Sequence, residues 1–186
     1  MQTQHTSSAS DWLRRHADLI KPQGRVLDMA SGSGRNARWL AAQGFEVEAV
    51  DRDEAALLSM QSIRNINTRV ADLENKAWPY HGQKFDAIVV CRYLHRPLLP
   101  LLPECLKEDG VLIYETYMQG HEVYGRPQNP DFLLKPNELL QTLMPELLPV
   151  AFEQGYNEAE HAVLQRICAV HPSASALLTR PRRGGA

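Results

Sequence analysis

The chain has 186 residues, 44% hydrophobic and 23% charged, enough for one globular domain with a real core and too few for two ordinary ones. Lys and Arg number 20 against 22 Asp and Glu, and the net charge of −2 argues against a surface built to grip long nucleic acid. The three cysteines, Cys91, Cys105 and Cys168, form neither a CxxC pair nor an even framework, as expected of reduced thiols. The opening MQTQHTSSAS shows no basic start followed by an apolar run, and the apolar stretch Leu98 to Leu102 is flanked and broken by Pro97, Pro100 and Pro103. These features predict a soluble, cytoplasmic protein with no membrane partner.

Ser8 followed by Asp11 resembles a capping box, opening a helix that places Trp12, Leu13, His16, Leu19 and Ile20 on one face. Pro22 and Gly24 end it. Short apolar runs then alternate with helical stretches, the pattern of βαβ units around a parallel sheet. Strands are expected at 25–29, 46–50, 68–71, 85–90 and 111–114. The run Phe85 to Val90 is continuous, as in a strand buried on both faces. Between them, one helix carries Ala37, Leu40 and Ala41 and closes at Gly44, and another presents Ala56, Met60 and Ile63. Asp53 suits the N-cap of the latter. Leu98 to Leu106 reads as a proline-punctuated helix, and Pro136 opens one bearing Leu139, Leu140, Leu143 and Met144. The runs 147–152 and 161–170 suit an antiparallel hairpin at the sheet edge.

The segment Val26 to Asn36, VLDMASGSGRN, reads as strand, tight glycine turn and helix start. Gly32 and Gly34 let main chain approach a ligand closely, and the next helix directs free N–H groups at it. Asp51, about twenty residues on at the end of the second strand, can accept both ribose hydroxyls of an adenosine. The glycine pattern alone fits a nicotinamide-binding turn equally well. Asp28 beneath the turn, Asp72 ending the third strand in Val70-Ala71-Asp72-Leu73, and Phe85-Asp86 opening the fourth tilt the choice.

On these residues the chain resembles class I S-adenosylmethionine (SAM)-dependent methyltransferases from about Asp11 to Val170. The resemblance implies an α/β, Rossmann-like, seven-stranded and mostly parallel sheet with helices on both faces. Gly120-His121-Glu122, Asn129 to Phe132 and the leucine-rich helix from Pro136 are loosely similar to the tellurite-resistance-type branch. The cofactor-binding residues so implied are Asp28, Ala30, Gly32, Gly34, Asn36, Asp51, Arg52, Asp72, Leu73 and Cys91. Gly32 and Gly34 would line the methionine and ribose, Asp51 would bind the ribose hydroxyls, and Arg52 would lie over the adenine. Asp72 and Leu73 would flank the base, and the Cys91 carbonyl would face the SAM ammonium. Ala30 stands where the family often has Gly, and Asp28 has an equal reading as a brace for the turn. Cys91 also has a reading as a small buried residue.

A sulfonium methyl is already activated, so the first need is in-line approach of the acceptor in a dry site. His95, Tyr93 and Arg96, in the loop after the fourth strand, are the candidate catalytic residues. His95 could take a proton or merely start a helix, Tyr93 could act or pack against the cofactor, and Arg92 or Arg96 could hold an anionic acceptor. The stretch 118–135, with His121, Tyr124 and Arg126, is the expected acceptor lid. No metal-ligand spacing is present, and no metal is expected. The domain reading is an N-terminal helix or lid over 1–20, a methyltransferase domain over 21–171, and a flexible basic tail over 172–186. The expected partner is a small-molecule acceptor, a thiol, chalcogen oxyanion or carboxylate, with no nucleic acid and a monomeric or homodimeric state. A non-catalytic SAM-binding protein, an RNA methyltransferase and a nicotinamide-dependent oxidoreductase are the alternatives.

Overall fold

A computed structural model describes residues 8–144 and 146–179. The basic cluster Arg180, Arg182 and Arg183 lies outside the described residues. Seven strands form one sheet: β1 (Arg25–Met29), β2 (Glu46–Asp51), β3 (Ile66–Val70), β4 (Phe85–Cys91), β5 (Leu106–Tyr117), β6 (Leu148–Asn157) and β7 (Ala162–Val170). Their order is β3-β2-β1-β4-β5-β7-β6. The first five strands pair in parallel, and β7 runs antiparallel to both β5 and β6. The strand order reverses between β1 and β4. In an open α/β sheet the ligand crevice lies at that reversal, beyond the carboxyl ends of the strands.

Helices cover both faces: α1 (Asp11–His16), α2 (Arg35–Ala42), α3 (Glu54–Leu58), α4 (Leu101–Glu104) and α5 (Glu138–Leu143). Every residue of β4 is buried: the apolar run Ala87 to Cys91 as a strand covered on both faces requires, and Asp86 with its carboxylate bonded to the Arg25 N–H and Lys107. Successive side chains of β4 enter opposite cores. Ala87, Val89 and Cys91 join the core of Trp12, Leu40 and Leu57, whereas Ile88 and Val90 join that of Leu102, Leu139 and Leu143.

Several boundaries differ from the sequence reading. Ser10, not Ser8, caps α1: its Oγ accepts the Leu13 N–H at 3.2 Å. Asp53 does cap α3, but that helix stops at Leu58, leaving Met60 and Ile63 to pack from turns. The proline-rich stretch makes only a 3-10 turn, Arg96–Leu98, and the four-residue α4, because Pro100 and Pro103 supply no amide donors. Strand β5 begins at Leu106, where the ladder with β4 shifts register between Phe85 and Ala87, and β6 continues to Asn157. Helix α5 starts at Glu138, two residues beyond the expected Pro136, after Asn137 at φ +61°.

Two buried bonds help fasten the N-terminal segment. The Trp12 indole Nε1 donates to the Ile167 carbonyl at 3.1 Å, and the Ser10 N–H donates to the Asn36 Oδ1 at 3.0 Å.

Candidate active site

The chain leaves β1 through Ala30, which sits in the left-handed region at φ +50°, and reaches Gly32 at +53° and Gly34 at +81°. For Ala30 that conformation costs about 1–2 kcal/mol, strain stored at the turn itself. The two glycines serve different ends. A Cβ on Gly34 would lie 1.7 Å from the Met60 Sδ, so only glycine lets α2 begin against that buried side chain. A Cβ on Gly32 would meet nothing within 4 Å, so the main chain there faces open space.

Asp51 closes the loop from the end of β2. Its Oδ2 accepts the Gly32 N–H at 2.7 Å and its Oδ1 accepts the Asp53 N–H at 2.9 Å. A carboxylate has about four lone-pair sites, so the group is fixed in place with acceptor capacity to spare. Beside it lies a cleft of about 250 Å³ lined by Ala30, Asp51, Arg52, Ala71, Asp72, Leu73, Glu74 and Tyr93. Six of these are residues singled out from the sequence. Ala71 and Glu74 were missed, and only their adjacency to Asp72 pointed to them.

Other candidates stand behind the cleft. Asp28 is buried under the turn, where its carboxyl accepts the Ala37 N–H in the first turn of α2. Burial, with the Asp51 charge adding to it, outweighs that hydrogen bond and Arg35 and raises the Asp28 pKa to about 7. Its Oδ2 is buried without a hydrogen-bond partner, so the carboxyl braces the turn and keeps one acceptor uncommitted. Asn36 spends its Oδ1 on Ser10, so it ties α1 to α2. Cys91 is buried at the end of β4, and burial, reinforced by Glu115 and Asp28, pushes its thiol up, away from nucleophilic thiolate.

The catalytic candidates divide. Tyr93 lines the cleft, with its hydroxyl buried and without a hydrogen-bond partner. Burial, then the Glu74 and Asp72 charges, raise its pKa, so it stays a neutral donor. His95 is not among the cleft residues. It occupies the N-cap position of the 3-10 turn, where its carbonyl accepts the Leu98 N–H at 3.0 Å. Arg96 is engaged within the chain: its guanidinium grips Glu138 through Nε (2.6 Å) and Nη2 (3.0 Å) and donates to the carbonyls of Asp131 (2.6 Å) and Leu133 (2.8 Å). With those donors engaged it pins the expected lid segment to α5.

Asp72 is likewise turned on its own chain. Its oxygens accept from the N–H groups of Glu74 (3.0 Å) and Asn75 (3.2 Å) and from the Asn75 Nδ2 (3.0 Å), which hold its carboxyl below the usual range. Within the lid segment His121 is buried. Its Nδ1 accepts the Val163 N–H at 3.3 Å while Nε2 faces the Arg126 carbonyl at 3.1 Å, so the ring is held neutral. A wider depression of about 900 Å³, lined by Trp39, Phe45 and Arg64, lies at the opposite end of the strands beside Glu46. It contains none of these residues. Among the described residues no three His, Cys, Asp or Glu side chains are grouped to hold a metal ion, and no helix is long and apolar enough to cross a membrane.

Comparison with known proteins bears on this geometry. A relative from Bacillus subtilis, the putative methyltransferase YqeM, is 27% identical over 118 residues, covering 57% of this chain and 47% of its own. The chain thus spans about half the length of that curated relative. TehB from Haemophilus influenzae superposes with a TM-score of 0.72 at 18% identity, over 90% of this chain and 64% of its own. The 1,6-didemethyltoxoflavin-N1-methyltransferase of Burkholderia thailandensis, solved with 1,6-didemethyltoxoflavin and S-adenosylhomocysteine (SAH), superposes at 0.65 with 19% identity, over 91% and 80% of the two chains. These likenesses show a shared fold. The model of the methyltransferase domain family matches residues 1–155, most of the chain, including the glycine turn and the cleft. The chain belongs to the methyltransferase domain family.

Proposed function

We propose that the chain binds SAM in the cleft at the ends of β1, β2 and β4 and directs methyl transfer to a small-molecule acceptor. The carrying observation is the Asp51 carboxylate, locked by the Gly32 and Asp53 amides at the mouth of a cleft whose glycine turn faces open space. A ribose diol needs such a fixed double acceptor, and a close main chain needs the missing Cβ of Gly32. Leu73 and Tyr93 supply apolar walls for a base, and the Tyr93 hydroxyl supplies a buried donor.

The cofactor, once bound, supplies a methyl group on a positive sulfonium that leaves without prior activation. The chain's part is to orient the acceptor and exclude water. Tyr93 cannot serve as a base while its hydroxyl is held neutral, and His95, whose carbonyl opens the 3-10 turn, is not among the residues lining the cleft. This arrangement suits an acceptor that arrives already unprotonated, such as a thiolate or another soft nucleophile. The Arg96–Glu138 pair fixes the segment 131–133 against the loop after β4, so the acceptor would enter past a braced rim.

Titration calorimetry with SAM and SAH on the wild type and Asp51→Ala tests this reading. Micromolar binding that weakens at least about tenfold in the variant is expected, as for loss of a charge-assisted hydrogen bond worth about 1.5–3 kcal/mol. Absence of binding to the wild-type protein would sink it.

A further inference from the structure

We propose that Arg92 and Arg166 form an oxyanion subsite for the methyl acceptor, closed in this structure by the chain's own Glu160. The identity of its ligand as the acceptor rests on the methyl-transfer reading above. Arg92 directly follows β4, at the end of the strands that carries the cleft. Its backbone is in the left-handed region at φ +59°, and its guanidinium lies 4.7 Å from the Tyr117 ring, which itself stacks on His121 at 4.1 Å. Arg166 comes from the middle of β7, paired across the sheet with Glu115 on β5 and Glu153 on β6, and its side chain is only 4% exposed. A charged residue inside the largely apolar run 161–170 was the sequence signal for it, and it was passed over.

The two guanidiniums converge on one carboxylate and take one oxygen each. Arg92 Nη2 bonds the Glu160 Oε2, and Arg166 Nη2 bonds the Glu160 Oε1. This is how proteins hold the oxyanion of a ligand, with planar cations gripping separate oxygens. Glu160, however, belongs to the exposed turn 158–161 between β6 and β7, held there by the bond from its N–H to the Asn157 Oδ1 at 2.9 Å. Exposed turns open at low free-energy cost.

Donors and charge both favour exchange over permanent closure. Arg92 Nη1 is buried without a hydrogen-bond partner, and Arg166 Nε lies 3.2 Å from the Glu115 Oε2 without hydrogen-bond alignment. Arg15 takes Glu153 at 3.1 Å. Withdrawal of Glu160 would leave Arg15, Arg92 and Arg166 facing Glu115 and Glu153, one positive charge in excess. A monoanion restores neutrality. A depression of about 740 Å³, lined by Glu153, Asn157, Glu160 and Arg166 among others, gives solvent access to that contact.

Glu160 thus acts as a tethered competitor, and removing it must raise anion affinity by the reciprocal of the open fraction, about tenfold if the open form is roughly 10% populated. The test is calorimetric binding of benzoate, with benzamide as the uncharged isostere, to the wild type, E160Q, R92Q and the double variant. E160Q is expected to bind benzoate about tenfold tighter, with no gain for benzamide and no gain in the double variant. Equal benzoate affinity in wild type and E160Q, a gain that survives R92Q, or an equal gain for benzamide would overturn the proposal. SAH titrated into the same proteins separates the two readings. Its binding reports on the cofactor cleft alone, so loss of SAH binding in the wild type refutes the cofactor reading while the benzoate comparison still decides the subsite.

Discussion

Replacing each of the two turn glycines by alanine should separate folding from ligand binding. At Gly34 the new Cβ would sit 1.7 Å from the Met60 Sδ and 2.8 Å from its Cε, and Met60 is fully buried. The displaced side chain costs about 1–3 kcal/mol of overpacking, and φ +81° adds about 1–2 kcal/mol for a non-glycine residue. Gly34→Ala should therefore lose roughly 2–5 kcal/mol, which at about 2–4 °C per kcal/mol lowers Tm by ~5 °C or more. At Gly32 the Cβ meets no atom, so only the strain at φ +53° remains. The smaller unfolded-state entropy of alanine offsets part of it, leaving a net cost of about 1 kcal/mol or less. In the proposed placement the added methyl would crowd the cofactor, and SAH affinity should fall by about tenfold or more. Urea unfolding and SAH calorimetry on both variants are sufficient. Equal destabilisation by the two substitutions would refute the Met60 argument, and undiminished SAH binding by Gly32→Ala would refute the placement of the cofactor.

Two other outcomes follow from Arg96, a catalytic candidate, and Asp28, a cofactor-binding candidate. Arg96→Ala removes the link between Glu138 and the carbonyls of Asp131 and Leu133. It should cost about 1–3 kcal/mol and open the segment 119–135 to limited proteolysis, and an unchanged cleavage pattern would contradict the bracing role. Asp28 keeps its proton in the folded protein up to about pH 7, whereas the unfolded chain releases it near pH 4. Folding is then opposed increasingly as pH rises through that window, and the penalty is complete above it. The stability of the wild type relative to Asp28→Asn, from urea midpoints at about pH 4.5, 6 and 8, should fall and then level. A pH-independent difference would refute it.

What the sequence revealed follows from the range of each signal. The parallel strands were legible because a strand buried on both faces must be continuously apolar, as Ala87 to Cys91 is, and because Gly32, Gly34 and Asp51 serve one turn. Helix ends and strand ends were less so. Met60 and Ile63 keep helical spacing while packing from turns, since burial, not hydrogen bonding, sets that periodicity. The roles of Arg96 and Asn36 were hidden for another reason. Their partners, Glu138 and Ser10, stand 42 and 26 residues away, and no local pattern records a contact made by tertiary packing. Asp72 showed the reverse: its partners are its immediate neighbours, and the Asx-type turn was overlooked in favour of a ligand.

The bond from Trp12 to the Ile167 carbonyl joins residues 155 positions apart and has a temporal consequence. During synthesis α1 emerges well before β7, the strand that receives its indole. At ~5–20 residues per second, that interval lasts about ten seconds or more. Until then Trp12 and Leu13, fully buried in the finished protein, have no final surface to occupy. The chain's first helix is therefore among the last pieces to be locked. Because Ser10 is held by Asn36 at the start of α2, that late closure also completes the support behind the glycine turn.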